Sequence, residues 1–410
     1  MNIRRSAALV AATVVIGSVS AQAAFAEGAA SASPSPKAVV PSGLYGKSDP
    51  TYDGVWRQSL ALVAQDTVGV KPAEKAVAWL AGQQCEDGGF AAFRAEPGKA
   101  CDAKAMLDSN STAAAVQALA AVGGRDGEVA KGVDWLKKKQ NGDGGWGYNP
   151  GGDSDANSTS VVIGALAAAG EKPADVKSGT GKSGLDALAS LALPCSEGKN
   201  GGGALAYQPD KKGELAANAD ATAAGVLGAL GTGFAPGKGK APDAYTCEDG
   251  KTPDAVARNG AVYLQNQLST HLYLESQLAG AEDQPDYGNT ADAVAAVAAA
   301  EGVKYTKDPY AWLEKNAKGW AAGSGPAAYA QLIFAAHATG NDPRDFAGTD
   351  LVSALNKTGP APASADSADE YQDEDDKSDG FGGTWWIVGV MFIAAVGAGF
   401  LLSGRRRPQL

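Results

Sequence analysis

The sequence predicts an all-α domain in which helices of two kinds alternate around a ring, an α/α toroid. Ala- and Leu-rich segments with helical spacing are separated by Gly and Pro. Helices with one charged face alternate with helices that are apolar and small all round. A helix–turn pattern also recurs along the chain, and such recurrence indicates a repeat architecture.

The helices with a charged face each precede a Gly-rich turn, and the apolar helices follow it. The first kind is predicted at 73–84, 128–140, 184–193, 254–268 and 308–318. The second kind is predicted at 111–123, 158–170, 221–231, 290–301 and 326–339. No segment has the convincing alternation of a strand. Since an apolar helix is buried and an amphipathic one faces solvent, we expect an inner and an outer ring.

One segment is left over at each end of these five pairs. Val55–Gln65 precedes the first pair, and Asp345–Asn356 follows the last. If the two pair across the seam, the ring closes with about six inner and six outer helices. Closure would cover apolar faces that an open solenoid leaves to capping units. An open α/α solenoid is the alternative.

The clearest copy of the repeat runs from Lys131 to Trp146. It contains a basic residue, a glycine, an aromatic–Leu pair, a glutamine at the helix end and a Gly-rich turn closed by an aromatic ring. An earlier copy, 75–90, has Ala in place of the glycine and Phe in place of the closing Trp. The residues that mark the two copies are Trp79, Gln84, Phe90, Trp135, Gln140 and Trp146.

This pattern resembles the Gln-Trp repeat of squalene and oxidosqualene cyclases, which protein prenyltransferase β-subunits share in weaker form. Degenerate copies extend the resemblance over about 53–356. The chain thus looks like an exported, membrane-anchored member of the terpenoid cyclase and protein prenyltransferase α/α-toroid superfamily. The resemblance implies that the glutamine caps a helix end and stacks on the Trp, which ties neighbouring helices together. It implies a fold and leaves the activity open.

Both ends of the chain carry targeting patterns. Arg4 and Arg5 precede an apolar run and small residues, so residues 1–26 are predicted to be a signal peptide, with an uncleaved anchor as the alternative. The uncharged segment 385–402 would span about 27 Å as a helix, enough for one membrane crossing. Its Trp pair and the following arginines place 403–410 in the cytoplasm. We expect a single-pass protein of the cell membrane with an extracellular N-terminal domain.

The toroid is predicted at 51–357, between a Pro-containing linker at 27–50 and an acidic stalk at 358–384 that lacks apolar bulk. A net charge of −11 argues against nucleic acid as a partner. Export suits the four cysteines, for which three pairings are possible. We favour Cys85 with Cys101 and Cys195 with Cys247. There is no Cys-x-x-Cys and there are only two histidines, so no metal site and no cofactor are predicted.

Four inner helices begin with similar polar clusters. Asp, Asn, Ser and Thr are preferred N-caps, so capping alone is one explanation. The alternative is a ligand site, because these positions would surround one mouth of the central cavity with helix N-termini directed at a bound group. The candidate ligand-binding residues are Asp108, Asn110, Asp155, Asn157, Asn218, Asp220, Asp286, Tyr287 and Asn289.

The resemblance also bears on catalysis. Class II terpene cyclases carry Asp-x-Asp-Asp-Thr, whose middle Asp protonates the substrate. Aligned on the Thr, this chain places Asn110, Asn157, Asp220 and Gly288 at that position. An amide cannot deliver a proton, and Asp220 has lost its two neighbouring carboxylates. The zinc ligands of the prenyltransferases are not recognisable either. The sequence therefore favours a protein without catalytic activity. If the protein is an enzyme, Asp220 is the candidate catalytic residue.

From the sequence we expect a surface-tethered, non-catalytic binding or scaffold module whose central cavity takes a hydrophobic or bulky small ligand. A carrier that serves a membrane transporter has this anatomy, by analogy only with the fold of the cobalamin carriers. The alternative is an enzyme, terpene cyclase-like or carbohydrate-active, that uses carboxylates at the inner-helix starts. A purely structural protein whose cavity is filled by its own side chains is a third interpretation.

Overall fold

The computed structural model describes residues 39–242, 245–277 and 284–363, and helices dominate this part of the chain. The helices are α1 (Gly54–Thr67), α2 (Glu74–Gly82), α3 (Ser109–Val122), α4 (Asp126–Lys138), α5 (Ala156–Ala168), α6 (Gly184–Leu191), α7 (Ala219–Ala229), α8 (Pro253–His271), α9 (Tyr287–Glu301), α10 (Lys307–Asn316), α11 (Lys318–Ser324), α12 (Pro326–Thr339) and α13 (Leu351–Asn356). Most of them lie within a few residues of the predicted segments, whereas the short α11 was not predicted.

The apolar helices form a closed inner ring. Along the ring, each helix packs against the next in the order α1, α3, α5, α7, α9, α12, and α12 packs against α1. The helices with a charged face lie outside and each packs on one or two inner helices. The predicted α/α toroid is therefore confirmed, with α1 as the sixth inner helix and α13 as an outer one. In the described residues the ring has no open edge.

Small residues let the inner helices approach closely. A Cβ added to Gly228 of α7 would lie 2.6 Å from Ser160 Oγ of α5. Ala113, Ala114 and Ala115 of α3 are fully buried, as are most alanines of α9. Because such short side chains take little space, neighbouring helices can pack at short axial distances.

The seam of the ring is tied by residues from both ends of the domain. Tyr45 is fully buried, and its hydroxyl lies 3.0 Å from the carbonyl oxygen of Pro360. The side-chain amide of Gln65 in α1 donates to Asn356 Oδ1 of α13 at 2.7 Å. The amide N–H of Gly46 donates to the carbonyl of Thr358 at 3.0 Å. These bonds join the first inner helix to the last outer one.

These contacts correct the predicted bounds of the domain. Leu44 and Tyr45, placed in the linker by the sequence, are core residues because their side chains fill space beside α1. The segment 358–363, placed in the stalk, packs on the domain, and the amide of Ala363 donates to the carbonyl of Lys71 at 3.1 Å. The packed region thus extends beyond 51–357 at both ends.

The repeat glutamines link one repeat to the next. Gln84 donates to the carbonyl of Gly88 in its own turn at 3.0 Å and to that of Glu128 in α4 at 2.8 Å. Gln140 does the same, with the carbonyls of Gly144 at 2.8 Å and Val176 at 3.4 Å. Each amide therefore holds a Gly-rich turn against the following repeat.

The aromatic residues of the repeat pack at the same junctions. Trp135 Nε1 donates to Asp87 Oδ2 of the preceding turn at 3.2 Å. Trp146 is fully buried, donates from Nε1 to the carbonyl of Leu136 at 2.8 Å, and packs close to Gly184 of α6. Trp79 and Phe90 are buried in the main core cluster. The repeat pattern thus marks the contacts between successive repeats.

Two disulfides close loops outside the helices. Cys85 pairs with Cys101 and Cys195 with Cys247, with Cα–Cα distances of 5.6 and 5.7 Å. The favoured pairing is confirmed. Two disulfides are typical of a domain that resides outside the reducing cytosol.

Short strands also occur where none was predicted. Phe90–Ala91 pairs with Leu107–Asp108, Leu205–Ala206 with Ala217–Asn218, and Leu274–Glu275 with Pro285–Asp286, all antiparallel. At two residues each, these strands are too short to produce an alternating pattern. Each pair delivers the chain to the start of an inner helix.

The membrane predictions fall largely outside the described residues. No helix among the described residues is both long and apolar enough to cross a membrane. The predicted signal peptide at 1–26, the anchor at 385–402 and the tail at 403–410 lie beyond the described range.

We predict that Gly144→Ala destabilises the domain by about 2–4 kcal/mol, measured by denaturant unfolding. Gly144 has φ +91°, and a Cβ there would overlap the carbonyl oxygen of Ser183 at the start of α6. The matched control is Gly151→Ala, because Gly151 has φ +80° with no atom within 4 Å of the added Cβ. Its cost is about 1 kcal/mol, from backbone conformation alone. Equal costs for the two variants would contradict the close turn–helix contact.

Candidate functional site

Four inner helices begin with the same capping arrangement. Asp108 accepts a hydrogen bond from the backbone N–H of Ser111 at 2.6 Å, and Asp155 accepts one from Ser158 at 2.7 Å. The corresponding bonds of Asn218, to Ala221, and Asp286, to Asn289, are 2.8 and 2.9 Å. These four candidate residues are therefore N-caps that satisfy helix-start N–H groups.

A threonine four residues after each cap completes the arrangement. Thr112, Thr159, Thr222 and Thr290 are fully buried. Each hydroxyl accepts the backbone N–H of the residue that ends the preceding turn, at 2.9 to 3.0 Å, and three of these four turns are Gly-rich. The residues so held are Phe90, Trp146, Leu205 and Leu274. We call this bond the threonine clasp. It gives the five-residue layout a structural reason, which the sequence analysis missed because it used the threonines only for alignment.

The position two residues before each clasp is not used for capping. There, Asn157 Nδ2 of α5 donates to Asp220 Oδ2 of α7 at 2.8 Å. Asp220 lies deep in the domain, yet its side chain keeps some accessible surface. Burial raises the pKa of Asp220 to about 6; the hydrogen bond from Asn157 opposes this rise, and the charges of Asp286 and Asp155 add to it.

A second acid–amide pair was not foreseen. Asp292 lies within α9, and its Oδ2 accepts a hydrogen bond of 2.9 Å from Gln331 Nε2 of α12. Burial raises the pKa of Asp292 to about 7, and the charges of Asp220 and Asp286 add to the rise. The signal was a lone carboxylate in the Ala- and Val-rich segment 291–300, but the sequence analysis considered only helix starts.

Several carboxyl groups of the ring lie close enough for the charge of one to raise the pKa of another. The charge of Asp220 raises the pKa of Asp292, and the charge of Asp286 raises the pKa of both. Burial also raises the pKa of Asp155 and Asp286, whose capping bonds oppose it. Among the interactions that shift these four groups, none involves a Lys or Arg. In addition to the predicted candidates Asp155, Asp220 and Asp286, α9 thus supplies the carboxyl group of Asp292.

Aromatic side chains from opposite sides of the ring contact one another. Phe234, which follows α7, makes an edge contact with Trp56 of α1 at 5.3 Å and a parallel contact with Phe334 of α12 at 6.4 Å. Its backbone N–H donates to Gln117 Oε1 of α3 at 3.0 Å. Since α7 stands opposite α1 in the ring order, the loop 231–234 must cross the hole. It thereby joins α7 to α1, α3 and α12 through Phe234.

Of the remaining candidates, Asn289 and Tyr287 contact nearby side chains, whereas Asn110 has an amide oxygen without a donor. Asn289 Nδ2 donates to Asp286 Oδ2 at 2.9 Å. Tyr287 lies parallel to Trp312 at 5.4 Å and to Trp320 at 5.8 Å. Asn110 is 7% exposed, and its Oδ1 accepts no hydrogen bond. Hence Asn157 and Asp220 are brought together directly, whereas Tyr287 belongs to a separate aromatic cluster.

Two depressions lie away from these residues. One, of about 520 Å³, is lined by residues of α11 to α13 and the segments next to them, and the other, of about 510 Å³, lies at the ends of α5 and α7. Within the described residues, no group of three or more His, Cys, Asp or Glu side chains is arranged to hold a metal ion.

Comparison with known proteins supports the fold. Residues 43–191 match the family described as the prenyltransferase alpha-alpha toroid domain. This match confirms the toroid superfamily that the repeats resemble. A search of the curated proteins gives no match.

Two solved structures are similar at low identity. A protein from Actinoplanes is 15% identical, with a TM-score of 0.48 over 74% of this chain and 96% of that one. The ent-copalyl diphosphate synthase from Streptomyces platensis is also 15% identical, with a TM-score of 0.44 over 70% of this chain and 50% of the synthase.

We predict that Thr159→Val destabilises the domain by about 1–3 kcal/mol, because the N–H of Trp146 loses its buried acceptor. Thr159→Ser keeps the hydroxyl and should cost clearly less. Thermal and denaturant unfolding of the two variants provide the measurement. A Val variant as stable as the Ser variant would show that the clasp contributes nothing.

We also predict a pH-dependent effect of Asp292→Asn. The folded-state pKa of Asp292 is about 7, above its ordinary value, so the folded chain takes up a proton as the pH falls and gains stability. Asn does not ionise, so the variant avoids the free-energy cost of a buried carboxylate at high pH. The variant should be more stable than the wild type by about 1–3 kcal/mol at pH 8, and this advantage should shrink toward pH 5.

The control for this pH experiment is Asp134→Asn, on the exposed face of α4. Because this side chain is exposed, the replacement should not reproduce the gain in stability at pH 8 that is expected of Asp292→Asn. Denaturant unfolding at pH 8 and pH 5 gives both differences, and a constant difference for Asp292→Asn would refute a buried, proton-binding carboxyl.

Proposed function

We propose that this toroid is the ligand-binding domain of a surface-tethered protein, and that a small ligand binds within the ring beside the two acid–amide pairs. The proposal rests chiefly on one observation. Asn157 with Asp220, and Asp292 with Gln331, bridge neighbouring inner helices and place polar groups inside an otherwise apolar ring. Polar groups placed so deep are expensive to bury, which favours a functional role for them.

The surroundings of the pairs suit a ligand with an apolar body. Phe334 follows Gln331 by three residues on α12, so the two side chains lie on one face of that helix. Trp56 and Phe234 meet Phe334 in the aromatic group described above. A ligand could place its polar end at the carboxyl groups and its apolar part against these rings. This matches the hydrophobic or bulky small ligand expected from the sequence.

A tether would give such a module a cellular role. The predicted anchor at 385–402 and the acidic stalk would hold the ring outside the membrane. A carrier that hands its ligand to a membrane transporter needs these parts. Catalysis is not required by this arrangement.

An enzyme is the second candidate, and a separate observation favours it. With pKa values of about 6 and about 7, Asp220 and Asp292 can hold protons near neutral pH, as a general acid must. Such an acid would suit a terpene cyclase-like or a carbohydrate-active reaction. Asp220→Asn separates the candidates: loss of turnover with retained binding indicates the enzyme.

The test is native mass spectrometry of the full chain, purified in mild detergent from its own host. We expect a bound small molecule that Trp56→Ala loses, because the mutation removes an aromatic wall of the site. The matched control is Tyr52→Ala, since Tyr52 is 87% exposed beside α1. A wild-type mass equal to that of the bare chain in every preparation would count against a binding module and favour the structural interpretation.

A further inference from the structure

Some hydrogen-bond acceptors inside the ring have no donor. They belong to a group that we call the polar layer, which consists of Asn110, Asp155, Asn157, Asp220, Asp286, Asp292 and Gln331. Asn157 and Gln331 each use the amide nitrogen to bind a carboxylate. Their amide oxygens, Asn157 Oδ1 and Gln331 Oε1, are buried and accept no hydrogen bond. A buried acceptor without a donor is unfavourable, so both atoms would gain from a donor supplied by a ligand.

Asn110 adds a third acceptor that is independent of the acids. Asn110, Asn157 and Asp220 occupy the same position, two residues before the threonine clasp, on the consecutive inner helices α3, α5 and α7. Asn110 is 7% exposed, and its Oδ1 also accepts no hydrogen bond. The shared register places this oxygen in the layer that contains the Asn157–Asp220 pair. The fully buried amide atoms that lack a partner in this layer are thus all oxygens.

The charge of the layer is also uncompensated. The charges of Asp155 and Asp286 act on Asp220, those of Asp220 and Asp286 act on Asp292, and neither Lys nor Arg takes part in these interactions. A protein normally pairs buried carboxylates with a cation or keeps them protonated. A cationic ligand would meet both needs of the layer, since it brings positive charge and N–H donors together.

We infer that the ring binds an organic ammonium ion, whose three N–H groups donate to the carboxylates of Asp220 and Asp292 and to one amide oxygen of the layer. Its hydrocarbon part lies against Trp56, Phe234 and Phe334, where an aromatic face also attracts a cation. This inference deepens the proposed function and rests on it. A neutral polyol would supply donors but leave the carboxylate charge uncompensated. A metal ion would need a ligand cluster that the described residues do not form.

The depth of the site sets the size of the ligand. Gln117, which holds the Phe234 loop, lies seven residues after Asn110 on α3, or about 10 Å along the helix axis. A ligand between the acceptor layer and this loop is therefore short. An ammonium ion with about four carbons fits such a length.

The test compares three probes of equal chain length on the full chain in detergent: n-butylammonium, 1-butanol and butyrate, at constant ionic strength. Binding is measured by isothermal titration calorimetry and by the shift of the thermal unfolding midpoint. We expect n-butylammonium to bind at least tenfold more tightly than 1-butanol, and butyrate to bind less tightly still. Asp220→Asn and Asp292→Asn should each weaken n-butylammonium binding about tenfold, whereas the exposed control Asp134→Asn should not change it.

Each outcome decides the inference. Equal binding of n-butylammonium and 1-butanol would overturn the cationic ligand but leave the proposed binding function in place. Ammonium binding that neither Asp variant weakens would place the ion elsewhere and overturn the site. If no probe binds, the inference fails. The proposed function is then tested separately, by whether native mass spectrometry finds a co-purified small molecule. The two variants are independent, so misfolding of one, seen by circular dichroism, leaves the other to decide.

Discussion

Closure of the inner ring is the constraint on which the rest of this structure depends. The inner helices are largely apolar and buried, so each needs helices on both flanks as well as an outer helix behind it. An open array would leave α1 and α12 each with an uncovered apolar face. Contact between these two helices removes both edges. The buried Tyr45 and the bond from Gln65 to Asn356 then bind the two ends of the domain at the seam.

Closure also creates the polar layer. Successive inner helices of a closed α/α ring run the same way, so their N-terminal residues gather at one mouth. The caps and threonine clasps fix those starts at a common level. Residues that the caps and clasps do not use, such as Asn157 and Asp220, are then held toward one another. Helix N-termini favour ionised carboxyl groups, yet the pKa of Asp220 is raised, so burial outweighs the helix dipole here.

The sequence reveals features that depend on local pattern. The bounds of α12 at Pro326–Thr339 agree with the prediction, because Pro begins the helix and Gly340 ends it. The repeat glutamines and the disulfide pairs were also predictable, since they join segments close to one another in the repeat order. Capping explains Asp108 and Asp155 from residue type alone. Contacts between distant segments could not be predicted from local pattern. Phe234, for example, contacts Trp56 and Phe334 only because the ring brings these segments together. For the same reason Asp292, which lies among alanine and valine residues in the sequence, could not be paired in advance with Gln331, because Gln331 lies on another helix.

Native-state hydrogen exchange of the inner-helix amides tests ring closure most directly. If closure holds the domain together, amides in α1 and α12 should open with about the same free energy as those in α5, because all three helices belong to one cooperative ring. An open array would instead let its end helices unfold alone. Exchange of α1 and α12 through local openings, at a free energy well below that of α5, would contradict the closed ring and the polar layer built upon it.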